Sequence, residues 1–526
     1  MDSHSPNVIV IGAGMGGLAA AIRLAAAGSA VTLVEAAATP GGKMRTLPSP
    51  AGPVDAGPTV LTLRQVFDDL FALAGERLED HLTLLPQTVL ARHWWEGGSR
   101  LDLTGDPAID AAAIATFAGD REGAAFRRFD RLAQGLHQAF DAPVMQAPGP
   151  QLAAILRATL ARPALWPALL PGLSLAGLLR RQFRDPRLVQ LFARYATYVG
   201  GRPTHAPGVL ALIWRAEAAG VWAVEGGMHR LALALADLAK RLGVTLRLST
   251  PARRIVRQGG RVTGVQLQDG ITLPCAACVF AGDPAALAAG HLGEGLGAAV
   301  PARSTTPRSL SAWVWSFAAR VEGPLAADLI HHNVFFSSDP KAEFGPLAKG
   351  DMPLAPTLYI CAEDRAAGAV PTGPERFEII INAPPGRPDH PEDFARCHAR
   401  TFQRLRQMGL TFTPEPGPAG LTTPAMLDRL FPGSDGSIYG RSPEGTFAAF
   451  ARPQARTALP GLYLAGGGAH PGAGVPMAAL SGKHAAAAVM ADLKMGDLTS
   501  RSMLPQTAMP GGTLTGSQTT ARAPSR

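Results

Sequence analysis

The chain of 526 residues is 47% hydrophobic and 17% charged, and its formal net charge is +8. This apolar content excludes a wholly disordered chain, and only four cysteines exclude a scaffold built on disulfides. A basic, weakly charged chain suits a membrane surface or nucleic acid. Because no run of Lys and Arg with interleaved aromatic residues appears, we expect no nucleic-acid partner.

The first 35 residues predict a βαβ unit. Asn7 to Ile11 is a continuous apolar run typical of a buried parallel strand, and Ala30 to Val34 is a second one. Between them a glycine turn opens a helix from Leu18 to Ala27, which ends at Gly28. No Lys or Arg precedes the apolar run, so we expect structure rather than a signal peptide, and hence a cytoplasmic chain.

The glycine turn has the spacing of a dinucleotide-binding fingerprint. Gly12 allows the tight turn, and Gly14 lets the backbone approach a pyrophosphate. Gly16 or Gly17 permits close packing of the helix against a strand, and the helix N-terminus offers N–H groups to phosphates. Glu35 ends the second strand and can bind ribose hydroxyls, which disfavours the 2′-phosphate of NADP.

A second glycine pair, Gly41-Gly42, would bring the backbone close to the ligand again. Lys43 and Arg45 follow it, and their charges either neutralise phosphate or belong to a solvated loop. The next stretch contains further candidate ligand contacts, which are Gly57, Pro58 and Thr59.

The C-terminal part repeats the pattern of strand, glycine loop and helix start. Leu462 to Ala465 is a buried strand, and a helix from Met477 to about Leu493 follows the loop. A helix N-terminus there can stabilise negative charge on a reduced flavin. Contact from both ends of the chain favours FAD over NAD, and the candidate contacts at this end are Gly466, Gly467, Gly474, Val475, Pro476 and Met477.

The middle of the chain predicts a division into alternating parts. Clear elements are a helix from Leu231 to Leu242, a strand from Val244 to Leu248, a hairpin at Gly259-Gly260 and a second sheet within 305–385. We therefore expect an FAD-binding domain built from 1–62, 221–300 and 451–496, a substrate- and membrane-associating region at 63–220, a substrate-domain sheet at 301–450 and a disordered tail at 497–526.

The most apolar later stretch runs from Pro163 to Leu179, with arginines on either side of it. It is short for a membrane span, and three prolines interrupt it. Two interpretations remain open: a buried helical lobe, or a segment that enters the membrane interface while its arginines, Arg157, Arg162, Arg180 and Arg181, meet lipid phosphates.

Several longer motifs are far more specific than the glycine fingerprint. They are VDAGPTVLT (54–62), RYATYVGGRPTHAP (194–207), HHNVFFSSDPKAEF (331–344), FPGSDGSIYGRSPEGTFAAFARP (431–453) and AGGGAHPGAGVPMAALSGKHAA (465–486). With these motifs the chain resembles the phytoene desaturase-type carotenoid desaturases, within the flavin amine oxidase-like superfamily. The resemblance extends from about residue 7 to 493, and within that family the chain is most similar to the hydroxyneurosporene (1-hydroxycarotenoid 3,4-) desaturase branch.

The resemblance implies an α/β fold in which a Rossmann-type FAD-binding domain joins a mixed-sheet and helical substrate domain. It also implies an FAD-dependent oxidoreductase that forms a C3–C4 double bond in 1-hydroxy or 1-methoxy acyclic carotenoids of the spheroidene or spirilloxanthin type. Phytoene desaturase is the alternative, and a redox-neutral carotenoid isomerase is a further one. A non-catalytic prenyl-chain binding protein is the alternative of another class.

The same resemblance sets expectations for individual residues and partners. His470, in the C-terminal glycine loop, either accepts the proton lost from the substrate or only shapes the loop. Ala252 lies where the superfamily contacts adenine through the backbone. We expect no metal, an acyclic carotenoid substrate, a lipid surface at the inner or photosynthetic membrane of a photosynthetic bacterium, and oxygen or a quinone as electron acceptor.

Overall fold

The computed structural model describes residues 6–502 of the chain. Its strands are, in chain order, β1 (Asn7–Ile11), β2 (Ala30–Val34), β3 (Thr46–Leu47), β4 (Val54–Asp55), β5 (Leu84–Pro86), β6 (Ala91–Trp95), β7 (Arg100–Leu103), β8 (Trp222–Val224), β9 (Thr245–Arg247), β10 (Ala252–Gln258), β11 (Arg261–Leu267), β12 (Thr272–Pro274), β13 (Ala277–Phe280), β14 (Ser311–Glu322), β15 (His332–Phe336), β16 (Leu358–Ala362), β17 (Glu375–Ala383), β18 (Thr411–Thr413), β19 (Leu421–Thr422) and β20 (Leu462–Leu464).

The α-helices connect and cover these strands. They are α1 (Met15–Ala26), α2 (Gln65–Ala72), α3 (Pro107–Ala118), α4 (Asp120–Phe140), α5 (Leu152–Leu160), α6 (Trp166–Leu169), α7 (Leu175–Gln182), α8 (Pro186–Ala193), α9 (Leu212–Ala218), α10 (His229–Arg241), α11 (Pro284–Ala288), α12 (Pro340–Ala348), α13 (Asp393–His398), α14 (Arg404–Gln407), α15 (Pro424–Leu430) and α16 (Val475–Ser502).

A five-stranded parallel sheet in the order β20-β13-β1-β2-β9 collects strands from three distant parts of the chain. The predicted βαβ unit is confirmed, with α1 between β1 and β2. The predicted hairpin at Gly259-Gly260 is also confirmed, since it joins the antiparallel strands β10 and β11. Parallel strands present their carboxyl ends at one edge, so the loops after β1 and β20 lie side by side.

Helices α1 and α16 pack backbone against backbone on this sheet. A Cβ atom added to Gly16 would lie 2.3 Å from the backbone nitrogen of Gly466, and one added to Gly482 would lie 2.4 Å from the Gly16 carbonyl oxygen. Only glycine allows so close an approach, which explains why these positions lack side chains. The contact brings the two ends of the chain to one place.

The core beneath this sheet extends beyond the predicted boundary at residue 62. Phe67, Leu70 and Phe71 of α2 are buried in it, together with Leu78 and Leu82. At the other end, α16 continues through Ser502, so the tail predicted from position 497 is helical over its first residues. No proline occurs within 477–502 to end the helix, and residues 503–526 of the predicted tail lie outside the described residues.

The second sheet has eight strands, ordered β18-β14-β17-β16-β15-β6-β7, with β19 paired to β14. The predicted second sheet within 305–385 is confirmed, but β6 and β7 join it from the region that we expected to be separate and largely helical. One face of the sheet is apolar and packs against α13, α14 and the turn between them, through side chains such as Trp315 and Phe402.

The helical lobe, residues 107–218, contains the 163–179 stretch, and entry of this stretch into the membrane interface stays a prediction. Leu175, Leu178 and Leu179 are buried, as in a core helix. Exposed apolar side chains lie mostly upstream of the predicted stretch, because α5 has no buried residue at all. They form an apolar patch comprising Leu152 (65% exposed), Leu156 (59%), Leu160 (60%), Trp166, Leu170 and the nearby Phe447 (72%).

The Gly16→Ala substitution tests the backbone contact between the chain ends. The added Cβ would meet Gly466 backbone atoms that cannot move aside, so we expect a loss of about 2 kcal/mol in unfolding free energy. Gly345→Ala in α12 is the control, because its Cβ would meet open space. Thermal unfolding should show a lower Tm for Gly16→Ala only; equal Tm values for both variants would contradict the proposed contact.

Candidate active site

The first glycine loop leaves room for a ligand at the N-terminus of α1. Gly14 is the N-cap of α1, and no side chain caps the helix there. Gly14 also bridges to Gly41, and a Cβ added to Gly14 would meet only the Gly42 Cα, at 4.0 Å. The free N–H groups of the first helical turn therefore face a cradle lined by two glycine turns, as phosphate binding requires.

Glu35 lies beside this loop at the end of β2. Its carboxylate accepts hydrogen bonds from the N–H groups of Ala13, at 2.6 Å, and Ala37, at 2.9 Å. Each oxygen retains a further lone pair for a ribose hydroxyl. The Glu35 carbonyl accepts from the Thr250 N–H at 2.7 Å, which places Ala252 two residues beyond this contact, at the start of β10.

Lys43 and Arg45 are half-buried, and both contact protein acceptors. The Lys43 ammonium donates to the carbonyls of Ile438, at 2.9 Å, and Ser437, at 3.3 Å, and its burial lowers the pKa of Lys43 to about 8. Arg45 donates to the Thr422 hydroxyl at 2.6 Å. The structure thus uses both cations to join the FAD-binding part to the segments around 422 and 437, and phosphate neutralisation by them stays a prediction.

Asp55 fixes the loop that carries Gly57, Pro58 and Thr59. Its carboxylate accepts hydrogen bonds from the Met228 N–H at 2.6 Å and the His229 N–H at 3.3 Å, at the N-terminus of α10. A Cβ on Gly57 would lie 1.9 Å from the Lys43 carbonyl oxygen, so this loop packs directly on the second glycine turn. The sequence analysis did not identify Asp55 as the residue that holds the loop.

The C-terminal glycine loop reaches the same place from the other side. The Gly466 N–H donates to the Ser481 hydroxyl at 2.6 Å, and the Gly467 carbonyl accepts from the buried Arg452 at 2.9 Å. Gly474 is exposed, with φ of 108°, directly before α16. Val475, Pro476 and Met477 therefore form a helix N-terminus, in which Val475 and Met477 contribute backbone N–H groups and Pro476 has none.

His470 is buried and tethers the glycine loop to the helical lobe. Its Nε2 lies 3.0 Å from the Ala147 carbonyl oxygen, which can only accept, so Nε2 carries the proton. Burial lowers the pKa of His470 below its usual value. The other ring nitrogen, Nδ1, keeps its lone pair, so both predicted roles of His470, shaping the loop and accepting a proton, stay predictions.

The second sheet presents a polar, buried face to these loops. Strand register places alternate residues of β6, β14, β15, β16 and β17 on it. Several of its polar atoms have no hydrogen-bond partner among the described residues: His93 Nε2, Ser316 Oγ, His332 Nε2 and both carboxylate oxygens of Glu378. This polar face, which comprises His93, Ser316, His332, Tyr359, Cys361 and Glu378, is where buried polar groups are available to a ligand.

Carboxyl groups crowd the part of the polar face nearest to Gly57. Glu363 accepts from the Asp55 N–H at 2.7 Å, and burial together with the charge of Asp55 raises the pKa of Glu363 to about 8. Burial raises the pKa of Glu378 well above its usual value, with repulsion from Asp55 and Glu363 adding to the effect. The site therefore keeps protonated carboxyl groups at neutral pH.

One group on this face has donors that could hold a metal ion. Ligand atoms of His331, His332 and Cys361 lie within 4.8 Å of one another, because the β15–β16 register pairs His332 with Cys361. Burial raises the pKa of the Cys361 thiol well above its usual value, which disfavours the thiolate that a metal ion needs. The sequence analysis missed this group, since strand pairing rather than spacing creates it.

The chain belongs to the family of flavin-containing amine oxidoreductases, whose model matches residues 15–490. The predicted flavin oxidoreductase class is thereby confirmed. Cyclohexylamine oxidase from Brevibacterium oxydans has a similar fold, with a TM-score of 0.53 at 19% identity over 93% of this chain and 100% of its own.

Within this family the predicted resemblance to carotenoid desaturases is also confirmed. Hydroxyneurosporene desaturase from Cereibacter sphaeroides is 66% identical over 93% of this chain and 98% of its own length. A lycopene-forming phytoene desaturase from Paracoccus sp. is 33% identical over 94% of this chain and 99% of its own length.

The geometry fits FAD. The N-termini of α1 and α16 flank the glycine contact, and the space at Gly14 is open, since an added Cβ would meet only the Gly42 Cα, at 4.0 Å. The N-terminus of α1 suits the pyrophosphate, and Glu35 suits the ribose. The loop containing Thr59 and the N-terminus of α16 would hold the flavin ring against the polar face.

Glu378→Gln tests the protonated state of the polar face. The folded protein keeps a proton on Glu378 that the unfolded chain releases above its ordinary pKa of 4.5, so this residue destabilises the fold increasingly as pH rises from there. Glutamine has no such penalty. We expect the Tm of the Gln variant relative to wild type to be higher at pH 8 than at pH 5.

The exposed Glu392 provides the control, because Glu392→Gln should leave the Tm difference independent of pH. A Tm difference for Glu378→Gln that is equal at pH 5 and pH 8 would show that this carboxyl group is already ionised in the folded protein.

Proposed function

We propose that this chain is an FAD-dependent desaturase that introduces the C3–C4 double bond into acyclic carotenoids with a 1-hydroxy end group. The observation that carries the proposal is the 66% identity, over nearly the full length, with a hydroxyneurosporene desaturase. It is combined with a site in which both chain ends present glycine loops to one ligand. When bound, FAD supplies the acceptor for the two hydrogens that the substrate loses.

The residues of the chain supply orientation and exclusion of water. Asp55 and the α10 N-terminus fix the loop with Thr59, and His470 fixes the glycine loop against the lobe. The lobe packs Phe192, Tyr195 and Trp214 into one apolar core with strands β6 and β15, and apolar surroundings of this kind suit a polyene. Precise placement of the allylic carbons is the main catalytic contribution of such a site.

The apolar patch supports a membrane surface as the source of the substrate. Leu152, Leu156 and Leu160 recur every four residues and form one exposed stripe on α5. Arg157 and Arg162 are exposed beside it, where they can meet lipid phosphates. Among residues 6–502, no helix is both long and apolar enough to span a bilayer. We infer docking to the membrane through this patch.

The electron acceptor is inferred from the same arrangement. A protein docked through the apolar patch holds its site at the bilayer surface, where a quinone is available as well as oxygen. We propose that one of these two reoxidises the flavin.

Product analysis tests the reaction. The FAD-loaded protein is incubated with liposomes that contain either 1-hydroxyneurosporene or phytoene, and products are analysed by absorption and mass. We expect a red-shifted product with two fewer hydrogens from the hydroxycarotenoid and none from phytoene. Conversion of phytoene alone would establish the alternative activity, a product of unchanged mass would indicate an isomerase, and an inert, flavin-free protein would indicate a prenyl-binding protein.

Flotation with anionic vesicles tests the docking patch. The double variant Leu156→Glu/Leu160→Glu places two charges on the apolar stripe, and we expect at least a tenfold loss of vesicle binding, since each buried leucine contributes about 2 kcal/mol. The control is Ile271→Glu/Leu354→Glu, which charges two equally exposed apolar residues elsewhere. Equal binding by both double variants would show that another surface meets the membrane.

A further inference from the structure

Three buried side chains at one end of the polar face have nitrogen atoms without hydrogen-bond partners among the described residues. They are His93 Nε2, His332 Nε2 and Arg194 Nε, and we refer to these side chains as the histidine–arginine cluster. His93 pairs with Val334, two residues from His332, so both histidines lie on the same face of the sheet. Arg194, from the lobe, lies over the rings of Tyr195 and Tyr198, which pack in one cluster with Val334 and Phe336 of this face. Burial lowers the pKa of both histidines, and the charge of Arg194 adds to the effect.

The hydrogen bonds of His93 determine what its free nitrogen can do. Its Nδ1 lies 3.1 Å from the Leu101 carbonyl oxygen, which can only accept, so Nδ1 carries the proton. Burial and the charge of Arg194 lower the pKa of His93 well below its usual value, so the ring is neutral. Its Nε2 is therefore a buried acceptor that lacks a donor.

His332 continues a chain of hydrogen bonds from the flavin side. Thr59 Oγ1 lies 2.6 Å from the Tyr359 hydroxyl, which lies 2.7 Å from His332 Nδ1. When Tyr359 donates to Nδ1 of this neutral ring, Nε2 carries the proton and is a buried donor without an acceptor. When Nδ1 instead carries the proton and donates to Tyr359, Nε2 is an acceptor. The partner of Nε2 must therefore be able both to donate and to accept a hydrogen bond.

Arg194 adds a donor whose direction is fixed. Its Nη2 donates to Glu217 at 3.1 Å, and its Nη1 contacts the Tyr198 hydroxyl. The remaining Nε–H has no acceptor in the part of the chain that the structure describes, although the side chain is buried. An arginine cannot release this proton at physiological pH, so the cluster contains one permanent donor beside one acceptor.

We propose that His93, His332 and Arg194 bind the tertiary hydroxyl of the carotenoid end group and so select 1-hydroxylated substrates. A hydroxyl has one proton to donate to His93 and two lone pairs to accept from Arg194 and His332. A methyl ether lacks the proton, and a hydrocarbon leaves all three nitrogens without partners. This inference rests on the proposed function for the identity of the ligand.

The position of the cluster suits the reaction. Two hydrogen bonds separate His332 from Thr59, which ends the loop expected to contact the flavin. In the substrate, the hydroxyl on C1 is two carbons from C3. A hydroxyl held at the cluster would thus present the C3–C4 bond, rather than a bond further along the polyene, to the flavin.

Ligand binding tests the proposal independently of turnover. The FAD-loaded protein is reduced anaerobically so that no desaturation occurs, and carotenoid binding is followed by quenching of protein fluorescence. The ligands are 1-hydroxyneurosporene, its methyl ether and neurosporene. We expect the hydroxycarotenoid to bind at least about 10²-fold more tightly than neurosporene, because unpaired buried groups penalise the analogue, and the ether to bind about tenfold more weakly than the alcohol.

Substitutions assign the preference to the cluster. We expect His93→Leu and His332→Leu each to reduce the preference for the hydroxyl at least tenfold. Tyr359→Phe keeps the shape of the site, removes the partner of His332 and should also reduce the preference. His398→Leu is the matched control, because His398 packs against Trp315 on the opposite face of the sheet and should leave the preference intact.

Equal affinity of the unsubstituted protein for all three carotenoids would overturn the proposal. The proposal would also be overturned if the preference for the hydroxycarotenoid were unchanged in Tyr359→Phe and in the leucine variants. Only leucine variants that still bind flavin count in this comparison. A clear hydroxyl preference without any desaturated product would leave the cluster assignment standing and refute the proposed reaction. Desaturation of the hydroxycarotenoid without any preference for the hydroxyl would support the proposed reaction and refute the cluster assignment.

Discussion

The absence of side chains at Gly16, Gly466 and Gly482 decides how the two ends of the chain meet. A Cβ atom at Gly16 of α1 would lie 2.3 Å from the nitrogen of Gly466, in the loop after β20, and one at Gly482 of α16 would lie 2.4 Å from the Gly16 carbonyl oxygen. Two helix N-termini, almost 460 residues apart in the chain, thereby meet at one edge of a parallel sheet. The remaining segments then enclose the site that these two loops define.

Enclosing the site buries polar groups on the polar face of the second sheet, and this burial is energetically unfavourable. Its buried histidines and carboxyl groups are kept neutral, and several of their atoms have no hydrogen-bond partner within residues 6–502. Proteins seldom retain such groups without a ligand that satisfies them. In a site for an otherwise apolar chain, a few polar groups at one end are what fix the ligand in register.

The sequence predicted the elements with strong local signals. The strands around residues 7–11 and 30–34, the glycine loops and the hairpin at Gly259-Gly260 depend on neighbouring residues, and the structure confirms them. By contrast, the insertion of β6 and β7 into the second sheet, the grouping of His332 with Cys361 and the role of Asp55 depend on long-range pairing, which local patterns do not encode.

A single-turnover measurement shows directly whether the bound flavin accepts hydrogens from a 1-hydroxycarotenoid in preference to the unhydroxylated hydrocarbon. Oxidised, FAD-loaded protein is mixed anaerobically with one equivalent of 1-hydroxyneurosporene or of neurosporene, and the flavin absorption is followed in time. We predict that the flavin bleaches with the hydroxycarotenoid at the rate at which a product lacking two hydrogens forms. With neurosporene we expect the flavin to bleach far more slowly. Absence of bleaching with either carotenoid, or equal rates with both, would contradict it.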